Sequence, residues 1–433
     1  MKVLMLGWEF PPFSYGGLGT ACHGIVQGLS YQDLHLTLVL PRAKSIKTDK
    51  LHITPADDLI RGKTNFSEDE LLEIIRIDAA FSAYSTPQEY LEHLKRIGIT
   101  QAQLEEKAAE DNQKKTPYGK DLFEEINRYA AKAYNIGKTH DHDIIHAHDW
   151  LTMPAGIMAK KASGKPLVSH IHATEFDRTG DLPNQAVYEV EKQGMKASDH
   201  IIAVSEFTKQ KIIQHYGISP AKISVVHNAV IKEKAYFKLH PHLDKRDNIV
   251  LFLGRMTLQK GPEYFLRMAK RVTEFEPHTK FVMAGSGDMT HRMIQLAAGL
   301  GIAKHVLFAG YLSGPEIDRA YTDADLYVMP SVSEPFGITP LEAIKNGTPV
   351  LMSKQSGVSE IISNALKVDF WDIEEMTNKV LAVLRYSGLK RQLIDLSQEE
   401  LSRLNWRTQA ELIYNVYHDI HQRASSSLSA NSS

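Results

Sequence analysis

The chain has 433 residues, of which 43% are hydrophobic and 24% charged, a composition typical of folded globular domains and not of a disordered protein. Its 50 Lys and Arg residues nearly balance 52 Asp and Glu residues, and this net charge of −2 argues against a general nucleic-acid binder. The single cysteine, Cys22, excludes an intrachain disulfide, and without a signal peptide or roughly 18 continuous apolar residues we expect a cytoplasmic protein with no membrane-spanning segment.

Short apolar runs of strand length recur along the chain, separated by segments of helical periodicity. The first series is Val3–Leu6, Leu36–Leu40, Ile74–Ile77, Ile144–Ala147, Leu167–Ile171 and Ile201–Val204. The second is Ile223–Val226, Ile249–Leu253, Phe281–Ala284, Val306–Ala309, Leu326–Met329 and Val350–Met352. Runs that are apolar on both faces indicate buried parallel strands with right-handed crossovers. Two series predict an α/β fold of two doubly wound, Rossmann-like domains.

Composition suggests where the domains begin and end. The charged, aperiodic segment 232–248 predicts a boundary, giving domains at 1–240 and 241–405. Residues from about 80 to 139 are charged and rich in helix formers, so we interpret them as a helical excursion that covers the first domain. Residues 406–424 have helical apolar spacing and predict a C-terminal helix, and the Ser-rich residues 425–433 predict a disordered tail.

A glycine-rich turn follows the first predicted strand, where Gly16, Gly17 and Gly19 precede a helix. Glycines at this position let backbone N–H groups approach an anion, and the helix dipole favours its charge. The spacing differs from the G-x-G-x-x-G of dinucleotide-binding proteins, and the second strand ends without an acidic residue. Two interpretations of this turn, including Gly17, remain open: it binds phosphate, or it is a tight turn that allows close helix packing.

Two cations follow the strand Ile249–Leu253. Arg255 and Lys260 lie five residues apart at the carboxyl end of that strand, where open α/β sheets bind ligands. There they could converge on one diphosphate, Arg255 as a bidentate fork and Lys260 as a point charge. The next strand ends in a turn at Gly285 that could supply backbone donors. Scattered surface cations are the alternative.

Two glutamates flank a Pro/Gly turn farther along the chain. Glu334 ends a strand and its loop, and Glu342 lies eight residues later in the following helix. Gly337, Ile338 and Thr339 occupy the start of that helix, where unpaired N–H groups can hold a phosphate. The alternative, an ordinary solvated pair, does not explain why they flank such a turn.

The segments EPFGITPLE (334–342) and GRMTLQKG (254–261) resemble the E-x7-E signature and the diphosphate-binding motif of retaining nucleotide-sugar glycosyltransferases of the GT-B type, especially family 4. Four further segments extend the resemblance over most of the chain: AVSEFTKQKI (203–212), VVHNAV (225–230), AGYLS (309–313) and NGTPVL (346–351). Three other segments are similar to glycogen synthases in particular: EFPPFSYGGLG (9–19), HAHDWLT (146–152) and SHIHATEFDRTG (169–180).

This resemblance implies transfer of a sugar, expected to be glucose, from a nucleoside diphosphate to an acceptor hydroxyl with retention of anomeric configuration. ADP- or UDP-glucose is the expected donor and a carbohydrate, such as an α-glucan, the expected acceptor, with no cofactor and no nucleic acid. It assigns Glu334 and His172 to the sugar, Glu342 to the ribose and Tyr311 to the base. The residues expected to bind the diphosphate are Gly17, Arg255, Lys260, Gly285, Gly337, Ile338 and Thr339. Asp149 is our candidate for positioning the donor sugar or the acceptor.

Histidines occur in two H-x-H pairs that end predicted strands. His146 with His148, and His170 with His172, each place two imidazoles on one face of a strand, and the four could form a metal site. Enzymes of the resembled family take their positive charge from residues such as Arg255 and from helix N-termini and need no metal. We therefore interpret these histidines as residues of the substrate cleft and predict no metal.

The sequence departs from bacterial glycogen synthases at two positions. Ser14 stands where their Lys-x-Gly-Gly-Leu motif has lysine, and Glu342 is present where they commonly lack the second glutamate. Both features favour family 4 and archaeal-type synthases. The alternatives are a family 4 enzyme acting on a small sugar, a sugar phosphate or a lipid-linked acceptor, and a nucleotide-sugar epimerase on the same fold.

Overall fold

The computed structural model of the protein describes the following residues: 1–10, 17–41, 46–47, 51–56, 122–180, 182–230 and 247–431. These residues form two β-sheets, one in each half of the chain, with helices packed against them. The predicted fold class, two doubly wound α/β units, is confirmed. The predicted strand 74–77, most of the helical excursion and most of the predicted boundary segment lie outside the described residues.

The first sheet has eight strands. They are β1 (Lys2–Leu6), β2 (His35–Leu40), β3 (Ile46–Lys47), β4 (Leu51–Pro55), β5 (Ile144–His148), β6 (Leu167–Ile171), β7 (His200–Ala203) and β8 (Ile223–Val225). Their spatial order is β3-β4-β2-β1-β5-β6-β7-β8, and every neighbouring pair is parallel except β3 and β4. In β1, Val3 and Met5 pack into one hydrophobic cluster while Leu4 and Leu6 pack into another. The strand is thus buried on both faces, as its continuous apolar run predicts.

The described residues of this half form six α-helices. They are α1 (Gly17–Leu29), α2 (Leu122–Thr139), α3 (Met153–Ser163), α4 (Glu175–Thr179), α5 (Gln185–Ala197) and α6 (Glu206–Tyr216). Local sequence sets several helix ends. The Asn184 side chain accepts from the N–H groups of Ala186 and Val187, and the Ser205 hydroxyl accepts from Thr208 N–H. Side-chain oxygens at these positions satisfy amides that have no partner within the helix.

The second sheet has six parallel strands in the order β11-β10-β9-β12-β13-β14. They are β9 (Asn248–Leu253), β10 (Thr279–Ala284), β11 (Val306–Gly310), β12 (Leu326–Met329), β13 (Val350–Ser353) and β14 (Leu366–Val368). Its helices are α7 (Pro262–Phe275), α8 (Thr290–Gly299), α9 (Pro315–Asp323), α10 (Ile338–Lys345), α11 (Ile373–Arg385) and α12 (Ser387–Arg403).

Each sheet contains a point where the winding reverses. In the first sheet β1 lies between β2 and β5, and in the second β9 lies between β10 and β12. Helices on the two sides of such a point diverge and leave a crevice at the carboxyl ends of the two central strands. The crevices therefore open after β1 and β5 in one half and after β9 and β12 in the other.

The last helix, α13 (Trp406–Asn431), returns to the first half. Its buried residues Trp406, Ile413 and Tyr417 join the hydrophobic cluster that contains β1 and α1. The approach to α1 is close because Gly24 and Gly28 have no side chains: a β-carbon at Gly24 would overlap the Trp406 indole, and one at Gly28 the Trp406 carbonyl oxygen. These two glycines set the distance between the helices.

Two details differ from the sequence predictions. The sequence pattern groups the run that begins at Ile223 with the second series, but this run pairs with β7 in the first sheet, because periodicity marks a strand but not its neighbour; the predicted boundary at 232–248 lies after it in the sequence. The predicted disordered tail begins at Ser425, yet α13 continues to Asn431. Extending a formed helix costs little, and the hydroxyls of Ser425 and Ser426 each donate 2.9 Å bonds to carbonyls one turn earlier.

The two halves meet at the start of α6 and the loop after β12. The Ser205 hydroxyl donates a 2.5 Å bond to the Pro335 carbonyl, and the Glu360 carboxylate accepts bonds of 2.9 and 2.7 Å from the first amides of α6. A carboxylate at a helix N-terminus is favoured by the helix dipole. Among the described residues, no helix is both long and apolar enough to cross a membrane.

The glycine contact between α1 and α13 can be tested by adding one carbon. Gly28→Ala should lower the free energy of unfolding by about 1–3 kcal/mol, because the backbone of Trp406 cannot move away without displacing α13. Urea denaturation measures this. The control is Gly388→Ala in α12, where a β-carbon meets nothing within 4 Å and no loss is expected. Equal stabilities of the Gly28 variant and the wild type would disprove the close approach.

Candidate functional site

An ion pair occupies the crevice of the second sheet. Lys260 Nζ lies 2.5 Å from Glu334 Oε2, and the Ser331 hydroxyl donates a 3.2 Å bond to the same oxygen. Lys260 follows β9 and Glu334 follows β12, the two strands at which the winding reverses. Glu334 is buried and the Lys260 side chain is partly exposed. The fold thus joins two residues that are 74 positions apart in the sequence.

The backbone around Glu334 is held on both sides. Its amide donates 2.9 Å to the Gln355 carbonyl, and its carbonyl accepts 3.0 Å from Gly357 N–H. Gly337 then adopts a φ of 102°, a left-handed conformation that a side chain would strain, and a β-carbon there would lie 3.1 Å from Glu334 Cγ. This turn lets α10 begin directly beside the carboxylate.

The first turn of α10 presents backbone N–H groups. Ile338 and Thr339 are its first residues, and their amides have no intrahelical partner. The Thr339 hydroxyl accepts a 2.8 Å bond from Tyr327 OH, so its side chain is held by the core. Of the predicted phosphate ligands in this turn, the backbone amides of Ile338 and Thr339 can therefore bind an anion, whereas the Thr339 hydroxyl is already bonded to Tyr327.

Glu342 lies one turn farther along α10, where burial raises the pKa of its carboxyl. Its Oε2 accepts a 3.2 Å bond from Tyr321 OH, and this bond opposes the effect of burial. Tyr321 is fully buried on α9. The structure thus places Glu342 inside the second half as a polar group held by one hydroxyl.

Three predicted donor-site residues line the rim of the same crevice. Arg255 is exposed, and among the described residues its side chain has no hydrogen-bond or ion-pair partner. Gly285 has a φ of 124°, and a β-carbon there would overlap the Gly254 carbonyl oxygen. Tyr311 is 71% exposed, so no neighbouring side chain fixes its ring.

Asp149 and His172 meet at the crevice of the first sheet. Asp149 follows β5 and is the sole non-glycine described residue with positive φ, 57°. Its Oδ1 accepts a 2.6 Å bond from His172 N–H, and Arg178 Nη2 lies 3.9 Å from its Oδ2. Left-handed backbone costs about 1–2 kcal/mol in a residue with a side chain, a strain found mainly at functional sites.

All four histidines of the H-x-H pairs lie together behind Asp149. Neighbouring ring centroids in this cluster are 4.3–5.4 Å apart. His148 Nδ1 lies 3.0 Å from His172 Nε2, and His146 Nδ1 lies 2.6 Å from Tyr417 OH of α13. Burial lowers the pKa of His146 to about 3 and also lowers the pKa of the other three histidines; at His172 the nearby Asp149 carboxylate opposes this effect. The rings are therefore neutral at pH 7.

The two crevices face each other across α4. This helix lies against the turn Leu258–Lys260, and Asp177 within it accepts a 2.6 Å bond from the Ser333 hydroxyl. Gly17 is exposed at the start of α1, and the rest of its glycine turn lies outside the described residues.

Sequence reasoning missed two residues that hold site side chains. Arg178 donates to Glu191 and to the Ala173 carbonyl, at 3.0 and 3.2 Å, and so supports the loop that carries His172. Its place in the segment 169–180 was an available signal. Tyr321, the partner of Glu342, occupies an ordinary core position of a helix, and nothing in the sequence distinguishes it.

Two family models match consecutive parts of the chain. The model described as "Glycosyltransferase Family 4" matches residues 101–234, and "Glycosyl transferases group 1" matches residues 237–400. An uncharacterized glycosyltransferase of Methanocaldococcus jannaschii is 27% identical, over 96% of this chain and 98% of its own length. The glycogen synthase of Mycobacterium tuberculosis is 27% identical, over 96% and 94%.

Solved structures share the architecture. Sucrose-phosphate synthase from Thermosynechococcus elongatus aligns with a TM-score of 0.70 at 16% identity, over 98% of this chain and 99% of its own. HepE of Anabaena, in complex with UDP and glucose, aligns with a TM-score of 0.66 at 16% identity, over 97% and 100%. At such identities the likeness concerns the fold.

The raised pKa of Glu342 predicts a pH-dependent cost to stability. The folded protein holds the proton more tightly than the unfolded chain does, so stability falls as pH rises above the ordinary value of 4.5 through the folded-state pKa. Glu342→Gln stays neutral and keeps an acceptor for Tyr321. It should be more stable than wild type at pH 8, with a difference that shrinks towards pH 5, as urea denaturation would measure. Glu411→Gln, at an exposed position of α13, should show no such trend. A wild type as stable as the Glu342 variant at every pH would refute the prediction.

Proposed function

Because the chain is a glycosyltransferase of the GT-B fold, we propose that it transfers glucose from a nucleoside diphosphate to a hydroxyl of an α-glucan, with retention of anomeric configuration. The observation that carries the donor side is the Lys260–Glu334 pair at the winding reversal of the second sheet. There a cation that can bind a diphosphate lies beside a carboxylate that can accept a hydrogen bond from a sugar hydroxyl.

On the donor side, the leaving diphosphate would meet three sources of positive potential. Lys260 has an ammonium with two N–H groups beyond the one that faces Glu334, Arg255 offers an unengaged guanidinium, and α10 offers its first amides. Preorganised donors aimed at developing charge are the main means of electrostatic catalysis. We therefore propose that these groups stabilise the diphosphate in a reaction without a metal or other cofactor.

Donor binding would change the partners of Glu334. Both of its bonds use Oε2, from Lys260 and Ser331, which leaves Oε1 for a sugar hydroxyl. When Lys260 turns towards the diphosphate, the Glu334 carboxylate remains buried without its ammonium partner. A hydrogen bond from a sugar hydroxyl would then compensate for the lost ion pair. We assign Glu342 to the ribose and Tyr311 to the base, with Gly285 as a backbone donor to the diphosphate.

On the first side of the cleft, Asp149 and His172 would hold the sugar and the acceptor. His172 is neutral because burial lowers its pKa, so its ring can accept or donate a hydrogen bond without bringing a positive charge to the anomeric carbon. The strained backbone of Asp149 aims its carboxylate at the loop of His172. Gly17, at the start of α1, would add backbone donors.

The chemical step breaks the bond between the anomeric carbon and the phosphate oxygen and forms a bond to the acceptor oxygen on the same face. The acceptor proton passes to the departing phosphate oxygen, so the products are a glycoside and a nucleoside diphosphate. Closure of the two halves over the cleft would exclude water and limit hydrolysis.

Two acceptor classes are supported to different degrees. The mycobacterial glycogen synthase aligns over nearly the whole chain. D-inositol 3-phosphate glycosyltransferase of Rhodococcus jostii is also 27% identical, but over 64% of this chain and 66% of its own length. The longer alignment favours a glucan acceptor, and the second relative makes a phosphorylated small acceptor the alternative.

Donor and acceptor can be tested together. Purified protein would be incubated with ADP-glucose, UDP-glucose or GDP-mannose, each alone, with glycogen, or with inositol 3-phosphate, and nucleoside diphosphate release followed. We expect release from a glucose donor that depends on glycogen, with new α-linkages seen by NMR. Release that requires inositol 3-phosphate would transfer the assignment to the alternative, and β-linkages would overturn retention.

The ion pair can be tested by removing either member. Lys260→Ala and Glu334→Ala should each lower kcat/KM on the order of 10²–10³-fold, since each removes a contact to developing charge or to the sugar. Circular dichroism would verify folding. Lys304→Ala, an exposed cation of the same half, should retain wild-type turnover. Wild-type rates in either pair variant would remove the pair from the site.

A further inference from the structure

Three histidines of the cluster present nitrogens that nothing satisfies. His146, His148 and His170 are each at most 1% exposed. His146 Nε2, His148 Nε2 and both nitrogens of His170 have no hydrogen-bond partner among the described residues. His172 Nδ1 also lacks a partner among the described residues, so the four-histidine cluster holds five such atoms. A buried polar atom without a partner costs about 1–3 kcal/mol, so this is an unusual concentration.

The same three rings are close enough to share an ion. One ring nitrogen from each lies within 4.8 Å of the others. Three such atoms are at most roughly 2.8 Å from a common centre, against the roughly 2.0–2.1 Å of a zinc–nitrogen bond. The rings are inclined to one another by 18–39°, so metal binding requires the rings to rotate about their side-chain bonds until their in-plane lone pairs meet at one point.

Two of the three rings already have their Nδ1 atoms bonded to a partner outside the three-histidine set. His146 Nδ1 lies 2.6 Å from Tyr417 OH, and His148 Nδ1 lies 3.0 Å from His172 Nε2. If each Nδ1 donates its proton to that partner, each Nε2 carries an unprotonated lone pair that can bind a metal. Metal-bound histidines usually make such an outer hydrogen bond, which fixes tautomer and ring direction.

We propose that His146, His148 and His170 bind one late first-row divalent metal ion, with zinc the expected occupant. Imidazole nitrogens select this class of ion over magnesium or calcium, which prefer oxygen. The site lies at the carboxyl ends of β5 and β6 and is apart from the Lys260–Glu334 pair. The ion would tie the two strands together, connect them through Tyr417 to α13, and hold His172 in place through His148.

A competing set of ligands shares one residue with this site. Cys22, His148 and His172 also have ligand atoms within 4.8 Å of one another. We favour the three-histidine set because it holds four of the unsatisfied nitrogens, whereas the competing set holds two, His148 Nε2 and His172 Nδ1. Cys22→Ser and His170→Phe therefore distinguish the two sets.

The test measures metal binding by the full-length protein carrying no histidine tag. Protein treated with a chelator would receive Zn²⁺ or Co²⁺, and bound metal would be measured after gel filtration, with visible absorption for Co²⁺. We expect about one ion per chain in the wild type and in Cys22→Ser, and at least 100-fold weaker binding in His170→Phe. Tyr417→Phe should weaken binding 10–100-fold, because the outer hydrogen bond is lost.

The matched control is His142→Gln. His142 is also buried, at 2% exposure, but its two nitrogens already meet the His140 carbonyl and the Ser163 hydroxyl. This variant should bind metal like the wild type. Thermal denaturation gives a second measurement: Zn²⁺ should raise the Tm of wild type and leave that of His170→Phe unchanged, while the phenyl ring keeps the metal-free variant folded.

The following results would overturn the proposal. Wild-type protein that retains less than about 0.2 ions per chain has no such site. Loss of binding in Cys22→Ser with retention in His170→Phe moves the ion to the competing set. A Tm increase of equal size in wild type and His170→Phe shows that the ion acts elsewhere.

Discussion

Both halves of the protein are arranged by one property of parallel sheets: all strands end at the same edge, and a crevice opens where the winding reverses. In the second half this edge brings Lys260 after β9 to within 2.5 Å of Glu334 after β12. In the first half it brings Asp149 after β5 against the amide of His172 after β6. Every pair proposed to contact substrate arises from this convergence, so the site depends on strand order more than on any local motif.

The loop after β12 couples the site to the relative position of the halves. Lys211 Nζ contacts both Asp177 and Ser333 at 2.7 Å, and Ser205 donates to Pro335. Glu334 lies between Ser333 and Pro335, so it cannot move far while these bonds persist. A rearrangement of the two halves would therefore also reposition the carboxylate that faces Lys260, and this links domain closure to the donor site.

Burial at the site carries a cost in stability. Glu342 is held where its carboxyl has a raised pKa, and the four clustered histidines have lowered ones, so in each case the environment disfavours the charged form. Asp149 adds backbone strain. None of these features improves folding, and a concentration of groups with shifted pKa values in a crevice is typical of a functional site.

The sequence by itself determined most strands and the two-unit α/β fold, because buried strands are marked by local apolar runs. It also indicated Arg255, Lys260, Glu334 and Glu342 as candidate site residues, because these lie in motifs at strand ends. It did not determine that Ile223–Val225 joins the first sheet, since pairing is a long-range choice. Nor did it reveal Arg178 and Tyr321 as supports or the Lys260–Glu334 contact, and it raised the assembly of the four histidines as one possibility without deciding it. These depend on which strands become neighbours and on how far side chains are removed from water, and only the tertiary structure decides both.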